Sequence, residues 1–499
     1  MADELRVHVN VAETQLKAGA LRLPSIFMQS LTMVAPGIAG VFYTPVIVGQ
    51  AGLAAPLAYP LAAIALVITA LCFAQLARAL PSSGGYYTYV SRGLHPRLGF
   101  LVAWMSYIYT PLVLGAVLVF GGYVWSSSLG WPEWFPLLFM VCGGIFVAAM
   151  QYRGVQVSGK LLVVLGAIEV IVVFALGLWG MAFPGPGGFN LQPLNPANAK
   201  DLGGIAIAVI FAVQAFSGWE GSAPMAEETE NPRRNVPLAL VGSVLIFAVF
   251  IIVVQFGIMV GWGTDQFAKI PSASPLPGIQ LAQRYWGGAW VILLLMLMSS
   301  TIAVSIACAN VSTRMWYKMG LDGAFPKWFA KVHPVYRTPT NAILFQLLLV
   351  FVVGFGLTGA AMLLNPGDHS LLTALQNQYY MDGTSIGFNV AFIYGMVVIS
   401  SFALYWRERR HEFNWILHGL FPLIALLFMV AIVVASTQPL PGAPLVYAVY
   451  FTGFWLILGV VVLLYLRSTH KEGWMLRAGE AVAERPATDD ELRAMAGEW

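Results

Sequence analysis

"SLTMVAPGIAGVFYTP" (Ser30–Pro45) and "AVQAFSGWEGSAPMAEE" (Ala212–Glu228) decide how this chain folds. Each stretch lies inside an apolar run long enough to cross a bilayer, and each carries residues that interrupt a helix. Proline has no backbone donor and glycine weakens a helix interior by about 1 kcal/mol. Pro36, Gly37 and Gly40 therefore open the first run, and Gly218, Gly221 and Pro224, around the charged Glu220, open the second. Irregular backbone at membrane depth is tolerated only where protein or a watery cavity satisfies its polar groups. Small residues can instead serve only close helix crossing, but two interrupted spans at matching positions, one with a carboxyl group, favour a break in each. Such a pair predicts inverted repeats of five helices around a mid-membrane binding site.

Composition sets the frame. Of 499 residues 59% are hydrophobic and 10% charged, where a soluble domain carries about 25% charged residues. A mainly water-soluble protein is excluded. A hydrocarbon core about 30 Å thick needs about 20 helical residues, and twelve such stretches occur between residues 23 and 466, the eighth at 286–313 and the tenth at 384–405. The expected fold is all-α and polytopic: twelve transmembrane helices in a 5+5 inverted repeat, with helices 1 and 6 discontinuous. Residues 1–22 form an N-terminal segment unlike a cleavable signal peptide. Residues 23–183 hold the first repeat, 203–405 the second, 413–466 helices 11 and 12, and 467–499 a charged tail.

Lys and Arg concentrate in cytoplasmic loops. With the N-terminus inside, 23 of the 26 basic residues fall on the inner side, and only Lys200, Lys269 and Arg284 fall outside. Both termini are thus expected in the cytoplasm of a bacterial-type inner (plasma) membrane. The net charge of +3 follows from this topology and gives no nucleic-acid footprint. Cys72, Cys142 and Cys308 sit in apolar runs, so neither a disulfide framework nor a zinc cluster is expected. No His, Cys, Asp or Glu cluster at metal spacing and no phosphate loop points to an enzyme, a metal or a cofactor.

Three further segments carry a resemblance. "ARALPSSGGYYTYVSRGLHPRLGF" (Ala77–Phe100), "FSGWEGSAPMAEETENPRRNVPLAL" (Phe216–Leu240) and "TRMWYKMGLDGAFPKWFAKVHPVYRTPTNA" (Thr313–Ala342) resemble, in order and spacing, loops of the amino acid, polyamine and organocation transporter superfamily. The resemblance runs over most of the first ten spans and implies the leucine-transporter-like fold. The family's first helix usually reads Gly-Ser-Gly-Ile-Phe at its break; here the matching residues are Ile38, Ala39, Gly40, Val41 and Phe42. In the family, backbone amides at this break grip the substrate carboxylate with the positive end of a half-helix. Backbone at Ala35, Gly37, Ile38, Ala39 and Gly40, and at Phe216, Ser217 and Gly218, is accordingly expected to hold substrate, with Gln214, Trp219, Tyr107, Tyr109 and Asn389 as side-chain contacts.

Two acidic residues fall well within the expected spans, Glu169 and Glu220. An ionised side chain at the bilayer centre costs about 2.5–3.5 kcal/mol or more, so both are expected to face the interior, pair, or hold a proton. The resemblance aligns Glu169 with a position where many members carry lysine, which implies a proton or cation site, with Ser299, Ser300 and Ser305 as further ligands. Glu220 matches the family's sixth-helix glutamate. Structural hydrogen bonding is the competing reading for each.

The expected function is secondary active uptake of an amino acid or closely related small amine by alternating access. Coupling is expected through a proton, with sodium as the alternative, in symport. A polyamine or amine exchanger, and more remotely a transporter-like sensor or channel, stay open. The expected partners are the small-molecule substrate, the coupling ion and the lipid bilayer.

Overall fold

A computed structural model describes residues 16–273, 275–364, 370–437, 440, 443 and 445–469; most of the charged tail expected at 467–499 lies outside them. Twelve helical stretches among these residues are long and apolar enough to cross a membrane, and no strand is present among them. The first consists of α1 (Leu23–Met33) and α2 (Pro36–Ala51), followed by α3 (Ala58–Ala79). A short α4 (Tyr86–Gly93) leads into α5 (Pro96–Leu129), α6 (Phe135–Tyr152) and α7 (Val155–Ala182). The sixth span is α8 (Leu202–Phe216) continued by a tighter 3₁₀ segment, Trp219–Glu228; then come α9 (Pro232–Trp262), α10 (Pro277–Trp286) and α11 (Val291–Asp322). The chain closes with α12 (Thr340–Leu364), α13 (Leu371–Arg407), α14 (Phe421–Thr437) and α15 (Leu445–Ser468).

The interior belongs to the first spans. In the most apolar window of the α1–α2 span 89% of residues are buried, against 28% for the eleventh span and 11% for the twelfth. A helix that is apolar all round and mostly exposed faces lipid, so α14 and α15 lie at the periphery. α3 and α7 pack on α9, while α5 packs on α11 and α13. Close approach of α7 to α9 depends on missing side chains: a Cβ at Gly257 would stand 2.0 Å from the Gly177 carbonyl oxygen.

Two boundaries differ from expectation. The tenth span begins at Leu371 rather than 384, and the eighth reaches from Pro277 to Asp322 rather than covering 286–313. Polar Gln376, Gln378 and Asp382 remove their stretch from a count of apolar runs. They lie in α13 nonetheless, where Gln378 and Asp382 are buried against other helices instead of lipid. Asp382 is thus a third carboxyl group well inside a span.

Candidate functional site

Both expected interruptions are present. Ala35 adopts φ 54 and ψ 64, and Pro36 opens α2. Proline disfavours the helical region for the residue before it, and here that residue turns left-handed. A non-glycine residue in such a conformation costs of order 1–3 kcal/mol and persists only where its surroundings hold it; Ala35 is buried. α8 stops at Phe216, and Gly218 turns with φ 113 before the 3₁₀ segment. The two breaks abut: a Cβ on Gly218 would lie 2.5 Å from the Met33 carbonyl oxygen. The Ser222 N–H donates to Ser30 Oγ at 3.0 Å.

Each break frees the N-terminal amides of a new helical segment, and each is met by a carboxyl group. At the first, the Gly37 N–H donates to Glu169 Oε1 (2.5 Å), and the Ser300 hydroxyl donates to the same oxygen (2.5 Å). Glu169 is fully buried, and its Oε2 has no hydrogen-bond partner among the described residues. At the second, the Gly218 N–H donates to Glu220 Oε2 (3.1 Å), which also accepts from the Tyr394 hydroxyl of α13. Fixed anions at helix N-termini are stabilising because the aligned peptide dipoles leave about half a positive charge there.

Beside the breaks lies a cavity of about 800 Å³. Ala35, Ile38, Ala39, Gln214 and Ser217 line it, and so does Tyr109. Its remaining wall is chiefly apolar, from α2, α5, α8 and α13, with Tyr43, Gln50, Tyr379 and Thr384 as polar points and no charged side chain among the described residues. From the breaks it extends toward the end of the bundle where Gln50, Gly203 and Leu445 lie. On the other side of the breaks a buried ion pair, Arg314 with Glu228 (2.8 Å), joins α11 to the 3₁₀ segment, and Lys318 pairs with Asp322 (2.5 Å) within α11. Gln29 ties α1 to α11 there through the Ala307 carbonyl (2.8 Å) and Asn310 (3.1 Å).

Other expected contacts stand elsewhere. Gly37 and Gly40 turn toward α7 and its neighbours, where a Cβ would meet Glu169 or Val173. Phe216 packs edge-on against Phe247, and Trp219 is enclosed by Phe73 and Tyr394. Neither these residues nor Gly218 lines the cavity. Tyr107 stacks among Trp316 and Phe325, away from it. Asn389 is buried and donates to the Ser385 carbonyl (2.8 Å). The hydroxyls of Ser299 and Ser305 bond carbonyls of their own helix, Met296 and Thr301, so Ser300 alone of the three serines reaches Glu169.

Sequence reasoning missed several residues at the site. Phe42, Phe120 and Tyr379 form an aromatic cluster with centroids 4.3–4.9 Å apart, and Phe42 and Tyr379 line the cavity. Gln255 of α9 donates to the Gly40 carbonyl (2.9 Å) and accepts from Thr44 (2.8 Å), clasping α2. Asp382 lies one residue from cavity-lining Gly383, with its Oδ2 unpartnered. A lone Gln in an apolar run was the available signal for Gln255; the others needed the packing.

A polytopic helical membrane protein with two interrupted spans meeting at an internal cavity has the architecture of a small-molecule transporter. The model of the amino acid permease family matches residues 21–463, and the chain belongs to that family, within the amino acid, polyamine and organocation superfamily. It is a multi-pass membrane transporter of amino acids or amines and not an enzyme. The low-affinity putrescine importer PlaP of Escherichia coli (strain K12) is 30% identical over 327 residues, 62% of this chain and 70% of that protein. The branched-chain amino acid permease BcaP of Bacillus subtilis (strain 168) is 26% identical over 314 residues, 59% and 66% of the two chains. The b(0,+)-type amino acid transporter 1 of Mus musculus is 22% identical over 423 residues, 83% and 80%.

Proposed function

We propose that this chain imports an amino acid or small amine across a bacterial-type inner membrane by alternating access, coupled to the proton gradient through Glu169. The observation that carries the reading is the Glu169 carboxyl held at the first break by the Gly37 amide and the Ser300 hydroxyl, with its second oxygen unpartnered among the described residues. A group at this junction touches α2 on one side and α11 on the other. Gain or loss of a proton there changes how tightly the broken span is held to its neighbours, and a ligand shifts a conformational equilibrium only by such differential interaction. A cation such as sodium taken up by the same oxygens is the alternative.

The reading extends to topology. Spans 1–5 and 6–10 form the inverted repeats, at 23–183 and 203–405, and spans 1, 2, 6 and 7 rock as a unit against the remainder. With the N-terminus inside, as the distribution of Lys and Arg favours, the cavity opens toward the outer face. The Arg314–Glu228 pair and the Gln29 bonds to α11 then close the inner face, which makes the described state outward-facing. The putrescine importer, the branched-chain permease and the serine/threonine exchanger SteT of Bacillus subtilis among the relatives support the choice between amine and amino acid, without deciding it.

Purified chain in proteoliposomes is expected to accumulate substrate when an inward proton gradient is imposed. In Glu169→Gln that accumulation is expected to fall to the level reached without a gradient. Gradient-driven accumulation unchanged in the variant would sink the proton role.

A further inference from the structure

Each break in this fold presents two helix ends of opposite polarity, and their fates differ. Each positive end already holds a carboxyl group at one amide. The Gly37 amide at the head of α2 is held by Glu169, and the Gly218 amide before the 3₁₀ segment is held by Glu220. Pro36 offers no N–H, and the Ala39 N–H closes on the Ala35 carbonyl (2.9 Å). Of the first-turn amides of α2, that of Ile38 alone has no partner among the described residues. The negative ends are capped only in part: the Thr32 carbonyl of α1 accepts from the Ala35 N–H (3.0 Å), and the Gln214 carbonyl of α8 accepts from the Ser217 N–H (3.0 Å). α1 reaches the cavity at Met33 and Val34, and α8 at Gln214 and Ser217. No hydrogen bond from a described residue reaches the Val34 carbonyl.

A helix C-terminus carries about half a negative charge, and a cation beside it is stabilised as an anion is at the N-terminus. With two C-termini facing the cavity, a carboxyl group at each N-terminus, and no charged side chain on the wall among the described residues, the field inside favours a cation whenever Glu169 is ionised. In that state a substrate carboxylate would have to share the head of α2 with Glu169, and like charges brought together in a low-dielectric site disfavour one another. The rest of the cavity is apolar, with Val113, Val117, Ile207 and Phe211 on its wall. It offers an apolar body a surface, and gives a second ammonium no anionic partner. We infer that the cavity selects a carboxylate-free monoamine with an apolar body over the amino acid from which that amine would derive. This narrows the transport reading above and rests on it.

Matched pairs test the inference: phenethylamine against phenylalanine, and isopentylamine against leucine, with putrescine alongside. Binding to the full chain in nanodiscs is read by calorimetry and melting temperature, and exchange is read by counterflow in proteoliposomes. The amine of each pair is expected to bind about tenfold or more tightly than its amino acid. In Glu169→Gln that ratio is expected to move toward one; if the variant does not fold, the wild-type ratio alone decides. An amino acid bound as tightly as its amine, or binding of neither member, overturns the inference. Putrescine bound more tightly than the apolar amines overturns the choice of a single charge. Amine binding without counterflow upholds the selectivity and removes the carrier reading, whereas preferential counterflow of the amino acid keeps the carrier and removes the selectivity.

Discussion

The two breaks solve the same electrostatic problem over very different distances along the chain. At the second, Glu220 caps an amide two residues away; at the first, Glu169 comes from 132 residues away on another helix. A local cap keeps its amide when its segment moves, and only the Tyr394 hydroxyl of α13 ties this one to another helix. A distant cap ties two helices together and has to be renegotiated if they separate. The first break is therefore the place where a change of protonation can act on the arrangement of helices, while the second behaves as a preformed corner.

The comparison can be broken most severely at the corner itself. Gly218→Ala forces a side chain onto φ 113 and to within 2.5 Å of the Met33 carbonyl oxygen. A stability loss of about 3 kcal/mol is expected, visible as a large drop in melting temperature of the detergent-solubilised protein. A melting temperature within a degree or two of wild type would show that the breaks do not abut as described.

Removing one hydroxyl from each cap sharpens the contrast. Ser300→Ala takes away one of two donors to Glu169 Oε1 and is expected to cost about 2 kcal/mol, read as a fall of about thirtyfold in initial uptake rate under a proton gradient. Tyr394→Phe takes away the corresponding donor to Glu220 but keeps the ring packed against Phe73 and Trp219. Because the Gly218 amide still holds Glu220, a loss nearer 1 kcal/mol is expected, seen in melting temperature with uptake little changed. If Tyr394→Phe impaired gradient-driven uptake more than Ser300→Ala, the roles assigned to the two breaks would have to be exchanged.

The smallest effect is expected at Ala35. Glycine occupies left-handed backbone without the steric cost that alanine meets there. Ala35→Gly trades that relief against a more flexible unfolded chain, so stability is expected to stay within about 1 kcal/mol of wild type by thermal denaturation. A large loss would mean that the Ala35 methyl itself, on the cavity wall, contributes packing the backbone argument omits.

Much of the architecture was legible before any coordinates. Twelve apolar runs read as twelve spans, and Pro36 and Gly218 marked their breaks, because bilayer thickness and the hydrogen-bonding demands of backbone act on local sequence. The start of α13 was missed for the same reason. A rule that counts apolar residues discards Gln378 and Asp382, whose burial depends on which helices surround them. The candidate site was legible only in part. Gln214, Ser217 and residues 35, 38 and 39, named for their place at the breaks, line the cavity. Trp219 and Tyr107 were named from chemistry that suited a pocket, but they pack against other aromatic rings instead.

By itself the sequence determined that the chain crosses a membrane many times, where two spans are interrupted, and that Glu169 and Glu220 lie too deep to be surface residues. These follow from the energy of placing each residue in hydrocarbon, which is a property of the residue and its near neighbours. Only the tertiary structure decided that Glu169 meets Gly37 and Ser300, that a carboxyl group stands at each positive helix end, and that the cavity wall bears no charge among the described residues. Those are meetings between helices far apart in sequence, set by how twelve spans pack together, and no local pattern encodes them.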